Sequence, residues 1–295
     1  CLTTRMTRAP VSVVLCARNE ASRIEKSIRA IEACQPDELI VVDGGSTDDT
    51  VAIAERLGAK VIRSGGRGLA PDRQLGADNA SHDLIAFIDA DHRPAPDALV
   101  SLQRDMEEFG LDVVQAGVGI EDNGFWNRAE HDAMAVFQHQ PGPRSLMIGV
   151  APTLYRKEVL QAVRFDEVNK DQSDDADLFK RIVDTGRFTF GVGRTIVPQY
   201  HHPEFSDYMG KFRWYGRRDA EFIRTHPDRA HSMYFHLFVR YPIWRPIKSV
   251  FTGRPRAAIY FWVCGLTRLG VVISKRTQAL FSRPQTQPSE SGDAA

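Results

Sequence analysis

Four short apolar runs, each followed by a polar cluster or a helix-like segment, constrain the first hundred residues more tightly than any other feature of the chain. Val11 to Leu15, Glu38 to Val42, Lys60 to Ile62 and Leu84 to Ile88 read as strands apolar on both faces. Between the first two, the segment SRIEKSIRAIEAC sets Ile24, Ile28 and Ile31 at helical spacing. A second helix-like stretch runs from Asp49 through Leu57, with Ser46 or Thr47 as its expected N-cap. Strands buried on both faces and alternating with helices predict an α/β fold, a mostly parallel sheet covered by helices. Ligands of such sheets sit beyond the carboxyl ends of the strands. Three polar clusters fall there: Arg18-Asn19-Glu20, then Asp43-Gly44-Gly45-Ser46-Thr47-Asp48, then Asp89-Ala90-Asp91-His92.

The last cluster closes an apolar run with two carboxylates one residue apart. They lie where the strand ends and the backbone turns, and such a turn can aim both at one small volume. Carboxylates so confined repel unless a cation or proton compensates them, and hard ions such as Mg²⁺ or Mn²⁺ take oxygen ligands while keeping places for phosphate. A metal bridging a diphosphate is one reading of Asp89 and Asp91; a solvated acid pair, with Asp89 capping the next segment, is the other. The glycines after Asp43 let the backbone approach a ligand, although no G-K-[ST] or G-x-G-x-x-G pattern follows. In APDRQLGADNA, Arg73 could reach a phosphate or lie on a surface helix.

Composition excludes some partners. The 38 Lys and Arg balance 38 Asp and Glu, so no global basic field argues for nucleic acid, and 42% hydrophobic residues suit a globular protein. Cys1, Cys16, Cys34 and Cys264 lack C-x-x-C spacing, which suggests reduced thiols and a cytoplasmic location. The opening CLTTRMTRAP has no apolar region of the signal-peptide kind.

PVSVVLCARNEASRIEKSI, ELIVVDGGSTDDT, DRQLGADNA, LIAFIDADHRPAPDAL and SDDADLFKRIVDTG, in that order, resemble the family 2 glycosyltransferases, whose nucleotide-sugar-binding fold is called GT-A. The resemblance spans roughly Pro10 to Arg218. It implies inverting transfer of a sugar from a nucleotide-diphosphate donor, aided by Mg²⁺ or Mn²⁺. On it, Asp91 holds the metal, Asp89 lies near the ribose or metal, Asp43 and neighbours such as Gly44 line the nucleoside site, Ala90 is a further donor-binding candidate, and Arg73 sits by the donor phosphates. Cys16, Arg18 and Glu20 stand as further candidates near the nucleoside. Many relatives carry two acids in the turn after the second strand, where this chain has Asp43 followed by Gly44, so a carboxylate that could contact the base is missing from that turn.

In the second half, Asp174, Asp175 and Asp177 open a helix, where acids are also favoured by the helix dipole. Inverting transfer needs a carboxylate to take the acceptor's proton. The resemblance puts that base at Asp175, with Asp174 as runner-up. Met147 to Pro152 is expected to form a strand and a small-residue floor beneath the sugar, with Gly149 placed either for close approach to ligand or for a plain turn. His201 and His202 in VPQYHHPEF are solvent-facing residues or, as in similar enzymes, supply one imidazole to the metal. Arg213 and Arg217 in KFRWYGRRDAEFIR could hold a diphosphate or phosphorylated acceptor through paired guanidinium donors.

Toward the C-terminus, RYPIWRPIKSVFTGRPR interleaves aromatic and basic residues, which suits anionic lipid head groups. Ala257 to Ser274 is apolar but carries Arg268, so a buried or interfacial helix is favoured over a membrane span. The expected organisation is a glycosyltransferase domain over 10–230, divided at 110 into nucleotide and acceptor halves. A helical membrane-associating region follows over 231–282, then a disordered tail over 283–295. The expected partners are a nucleotide-sugar, a sugar or lipid-linked acceptor and a membrane surface at the inner face of the plasma membrane. Metal-dependent nucleotidyl transfer and a non-catalytic sugar- or lipid-binding scaffold are the alternative functions. The first usually needs a Gly-rich phosphate loop not found here; the second leaves two costly acid clusters without a task.

Overall fold

The computed structural model of the chain describes residues 9–137, 140–144, 148–166, 174–201, 204–225, 227 and 230–281. They divide into two compact units, Cys1–Pro203 and Glu204–Ala295. The first is built on an eight-stranded sheet. Its strands are β1 (Val11–Ala17), β2 (Glu38–Asp43), β3 (Lys60–Arg63), β4 (Leu84–Phe87), β5 (Val113–Ile120), β6 (Gly142–Arg144), β7 (Thr153–Arg156) and β8 (Phe190–Gln199). The spatial order is β3-β2-β1-β4-β7-β5-β8-β6. The first four are parallel, as are β5 and β8, whereas β7 runs antiparallel to both β4 and β5 and β6 antiparallel to β8. The sheet is therefore mixed but mostly parallel.

Strand alternation feeds two separate cores. Val11, Val13 and Leu15 of β1 pack on one face with Ile24, Ile28 and Ile31 of α1 (Ile24–Ala33) and Leu99, Leu102 and Met106 of α4 (Ala98–Glu108). Val14 points to the other face, toward α3 (Leu69–Asn79), α6 (Lys157–Ala162) and α7 (Asp174–Thr185). Nearly every residue of β1 and β4 is thus buried whichever way it points, which is why these two strands read as unbroken apolar runs, whereas edge strand β3 is only partly covered. Helix α3 lies unusually close to the sheet. A Cβ on Gly76 would stand 2.3 Å from Val14 Cγ1, so only glycine permits this approach. One turn earlier on the same helix come Asp72 and Arg73, delivered to the carboxyl ends of the parallel strands.

Two local expectations are corrected. Helix α2 (Thr50–Arg56) has Asp49 at its N-cap, with no side-chain cap bond. Ser46 and Thr47 are instead used across the strand ends: Asn19 N–H donates to Ser46 Oγ at 2.9 Å, and Thr47 N–H donates to Asn19 Oδ1 at 2.8 Å. The strand expected over Met147 to Pro152 starts only at Thr153. Gly149 N–H donates to Gln115 Oε1 at 2.8 Å and Thr153 Oγ1 donates to the Gly149 carbonyl at 2.8 Å, so this backbone is satisfied by side chains rather than by a ladder. The same glutamine explains Gly149, whose Cβ would meet Gln115 Nε2 at 2.8 Å. Met147 lies outside the described residues.

The second unit is helical: α8 (Phe205–Thr225), α9 (Ala230–Phe235), a π-helical segment (His236–Trp244), α10 (Arg245–Phe251) and α11 (Pro255–Phe281). Within it α8 packs on α11. A Cβ on Gly216 of α8 would lie 2.8 Å from Val271 Cβ and 3.0 Å from the Arg268 backbone. At this crossing Arg268 Nε and Nη2 donate to Asp219 Oδ2 and Oδ1, both at 2.7 Å, with both residues buried. Burial alone opposes the guanidinium charge, but the Asp219 bonds outweigh it and leave the Arg268 pKa raised. The arginine that interrupts the apolar stretch is therefore an internal tie, and the 27-residue helix keeps one face for packing.

Removing one partner of a buried pair strands the other charge. Asp219→Ala is expected to cost about 3–5 kcal/mol in chemical denaturation, while a double Asp219→Leu, Arg268→Met change recovers most of that loss. Equal stability of the Asp219→Ala single variant and wild type contradicts the assignment.

Candidate active site

The parallel strands end together. In register, Ala17 of β1 faces Asp43 of β2, and the D-x-D turn follows β4 directly. Asp43, 4% exposed, folds back on its own turn: Ser46 N–H donates to Oδ1 at 3.0 Å and Gly45 N–H donates to Oδ2 at 3.2 Å. Gly45 has φ +87°, a left-handed conformation that favours glycine here. Asp43 thus shapes the turn, and it is Gly44 that faces the cleft.

That cleft, about 370 Å³, is lined by Cys16, Ala17, Arg18, Glu20, Gly44, Gly68, Leu69, Asp72, Asp89, Ala90 and Asp91. Cys16, Arg18, Glu20, Gly44, Asp89, Ala90 and Asp91 are brought together as the sequence suggests. Glu20 also carries Arg23, which donates to its two oxygens at 2.7 and 2.9 Å. Arg73 is buried on α3 beside the cleft rather than on a surface. Its Nη2 donates to Asp89 Oδ1 at 3.3 Å and its Nη1 stands 3.9 Å from Asp175 Oδ1. One guanidinium therefore joins the D-x-D turn to the first turn of α7. Asp89 is not a helix cap.

Asp91 is tied to the end of β8. Gln199 Nε2 donates to Asp91 Oδ2 at 2.9 Å, and Tyr200 N–H donates to the Asp91 carbonyl at 2.8 Å. Asp91 Oδ1 is buried with no hydrogen-bond partner. A sequestered carboxylate oxygen without a donor is costly unless a cation supplies the missing charge. Asp89, Asp91 and His92 place ligand-type atoms within 4.8 Å of one another. His92 has a different task. Its Nδ1 accepts the Asp89 N–H at 3.1 Å, so the proton sits on Nε2 and neither ring nitrogen offers a lone pair to an ion. Burial lowers the His92 pKa against the opposing pull of Asp89 and Asp91, keeping the ring neutral. The two carboxylates thus fit Mg²⁺ or Mn²⁺, with His92 bracing the turn that carries them.

His201 follows β8. Its Nδ1 stands 2.6 Å from Oε2 of buried Glu130, on α5 (Phe125–Phe137), and Asn127 Nδ2 donates to the His201 carbonyl at 3.1 Å. A carboxylate on one imidazole nitrogen is how proteins orient a histidine for use at the other. His201 is outside the 4.8 Å group around Asp89 and Asp91. His202 and the side chain of Asp174 lie outside the described residues. Arg213 and Arg217 are exposed on one face of α8, in the second unit.

Asp72 is the cleft residue that sequence reading passes over. An acid in the first turn of a helix reads as compensation of the helix dipole, yet Asp72 is 4% exposed and lines the cleft. Burial raises its pKa, against the lowering effects of a Ser64 hydrogen bond and the Arg67 and Arg18 charges.

The sequence model of glycosyl transferase family 2 matches residues 12–164, half of the chain. The chain belongs to glycosyl transferase family 2. Its fold is of the GT-A type. A 94-residue stretch is 42% identical to glucosyl-3-phosphoglycerate synthase of Mycobacterium tuberculosis, covering 28% of each protein. The chain thus matches under a third of the length of such curated relatives. Over the fold, S. aureus TarS, solved with UDP-GlcNAc, superposes at TM-score 0.50 with 16% identity, over 91% of this chain and 92% of that one. GalNAc-T7, solved with UDP, GalNAc and Mn²⁺, superposes at TM-score 0.54 with 14% identity, over 68% of this chain and 45% of its own.

If Asp89 and Asp91 hold the ion, Asp91→Ala abolishes saturable Mn²⁺ binding measured by electron paramagnetic resonance in the presence of UDP. Wild-type affinity in that variant removes the metal role from the turn.

Proposed function

We propose that this glycosyltransferase moves a sugar from a uridine diphosphate donor to an acceptor hydroxyl with inversion at the anomeric carbon, using Asp175 as general base. The observation that carries the proposal is the Arg73 guanidinium, which reaches both Asp89 and Asp175. A donor whose diphosphate lies at Asp89 and Asp91 then has its sugar directed toward Asp175. Uridine nucleotides are favoured by the structural neighbours solved with UDP-GlcNAc and with UDP and Mn²⁺.

In this reading each residue has one task. Asp89 and Asp91 would hold Mg²⁺ or Mn²⁺, which supplies positive charge to the departing diphosphate. Arg73, fixed by burial, donates toward the same developing charge. Asp175, on the first turn of α7 with its side chain 37% exposed, accepts the proton of the attacking hydroxyl. Asp174 is the neighbouring alternative for that proton. His201, oriented by Glu130, stands as a further candidate ligand for the ion, alongside His202. Arg213 and Arg217 are assigned to an acidic portion of donor or acceptor. Nucleotidyl transfer is disfavoured by the family match.

The acceptor is proposed to be a lipid-linked or polysaccharide intermediate, because the second unit has the character of a membrane-surface module. Ala230 to Phe281 contains no Asp or Glu and eight Lys or Arg, namely Arg240, Arg245, Lys248, Arg254, Arg256, Arg268, Lys275 and Arg276. Helix α11 buries Tyr260, Phe261, Cys264 and Arg268 but exposes Ile259, Trp262, Leu266 and Ile273, an apolar stripe at helical spacing. Ile243, Ile247, Phe251 and Trp262 extend that stripe around an apolar groove, with Phe251 87% exposed. Exposed apolar side chains on a segment with an excess of cations suit an anionic bilayer surface, each Lys or Arg near that surface adding about 1 kcal/mol. By length and composition α11 could cross a membrane. Its buried Arg268 face supports a helix lying along the surface instead. Among the described residues Cys16, Cys34 and Cys264 form no disulfide, which supports attachment at a cytoplasmic face.

Two outcomes check these assignments. Asp175→Asn is expected to retain UDP binding while sugar transfer falls roughly 10²–10⁴-fold, the usual share of a general base; undiminished transfer refutes the role. Wild-type protein is expected to co-sediment with phosphatidylglycerol-containing vesicles and not with pure phosphatidylcholine, and Phe251→Ser with Trp262→Ser to weaken this. Equal recovery with both vesicle types, or with neither, contradicts the membrane assignment.

A further inference from the structure

The nucleotide end of the cleft contains one carboxylate with no partner for one of its oxygens. Asp72 is 4% exposed, its Oδ1 is buried without any hydrogen-bond partner, and it lines the cleft between Gly44, Gly68 and the end of β1. Its other oxygen lies against Gly44: a Cβ there would meet Asp72 Oδ2 at 3.0 Å, whereas its next neighbours, Arg18 Cβ and the Ala17 carbonyl, stand at 3.5 and 3.6 Å. Asp72 therefore occupies the space that a side chain at position 44 would fill, and it keeps one acceptor unused.

We infer that Asp72 reads the nucleobase of the donor, accepting the single ring N–H of a uracil-type imide on Oδ1. This rests on the nucleotide-sugar reading above and adds to it the residue that selects the base. Position argues for the nucleoside. Asp89 and Asp91 mark the diphosphate end, Asp175 marks the sugar beyond Arg73, and the cleft continues the other way to Gly44 and Asp72. Chemistry argues for uracil. One unsatisfied acceptor matches one strong N–H donor. Guanine presents two adjacent donors and asks for both oxygens, one of which is turned to Gly44. Cytosine and adenine set a ring-nitrogen lone pair where a donor is needed, leaving the buried carboxylate unsatisfied. Sites built to receive a specific hydrogen bond reject ligands that lack it far more strongly than apolar pockets reject a missing methylene.

The test is titration calorimetry of UDP, CDP, GDP and ADP with Mn²⁺ on the full chain. Wild type is expected to prefer UDP, and Asp72→Asn, which keeps the size but turns an acceptor into a mixed group, to lose roughly ten- to hundredfold in UDP affinity, the range of a charge-assisted hydrogen bond. The other three nucleotides should change little. A folded Asp72→Asn protein with the wild-type ranking overturns the inference. Should that variant fail to fold, the double change Gly44→Asp with Asp72→Ala decides the matter, because removing Asp72 clears the one tight contact at position 44. Recovery of UDP preference from the relocated carboxylate supports the inference, and a folded double variant without it overturns it. Wild-type protein that binds none of the four nucleotides defeats the donor reading itself, a separate outcome.

Discussion

A buried guanidinium must find carboxylates, and the active-site cleft is organised around that need. Arg73 sits on a helix pressed so closely to the sheet that Gly76 has no space for a methyl group. From there its two terminal nitrogens reach Asp89, after β4, and Asp175, at the start of α7. These carboxylates come from distant parts of the chain, and without the cation between them their mutual repulsion would favour separation. One side chain thus links the D-x-D turn to the first turn of α7.

The D-x-D turn shows the complementary situation, in which the protein leaves a group unsatisfied. Gln199, Tyr200 and His92 hold the turn from three sides, yet Asp91 Oδ1 remains buried and alone. Rigid support around an orphaned carboxylate oxygen is the arrangement a divalent ion would complete. Asp72 repeats the pattern at the opposite end of the cleft, where an N–H donor rather than a cation would satisfy the vacant acceptor. The costs of both are local, and both lie where a donor molecule would contribute the missing half.

Features encoded within a few residues were legible in the sequence. The strands of the first hundred residues, the turns that follow them, and the D-x-D at the end of β4 all depend on short-range pattern, so apolar periodicity and turn chemistry disclosed them. Features created by contacts across the fold were not. Asp72 looks like any first-turn acid until Gly44 is seen beside it. His92 is only the last residue of a polar cluster until its Nδ1 is found accepting a backbone N–H. Ser46 and Thr47 look like helix caps, but Asn19, from a different strand end, claims them. In the second unit, the pairing of Asp219 with Arg268 joins α8 to α11, and nothing near residue 204 in sequence announces that boundary.

In the proposed reaction the acceptor attacks from the Asp175 side while the diphosphate departs from the Asp89 and Asp91 side. Proton NMR of the glycosidic product formed from an α-linked UDP-sugar tests this directly, since the anomeric coupling constant reports which face was attacked. A β-linked product is the result expected from a single displacement with Asp175 as base. An α-linked product would contradict the account.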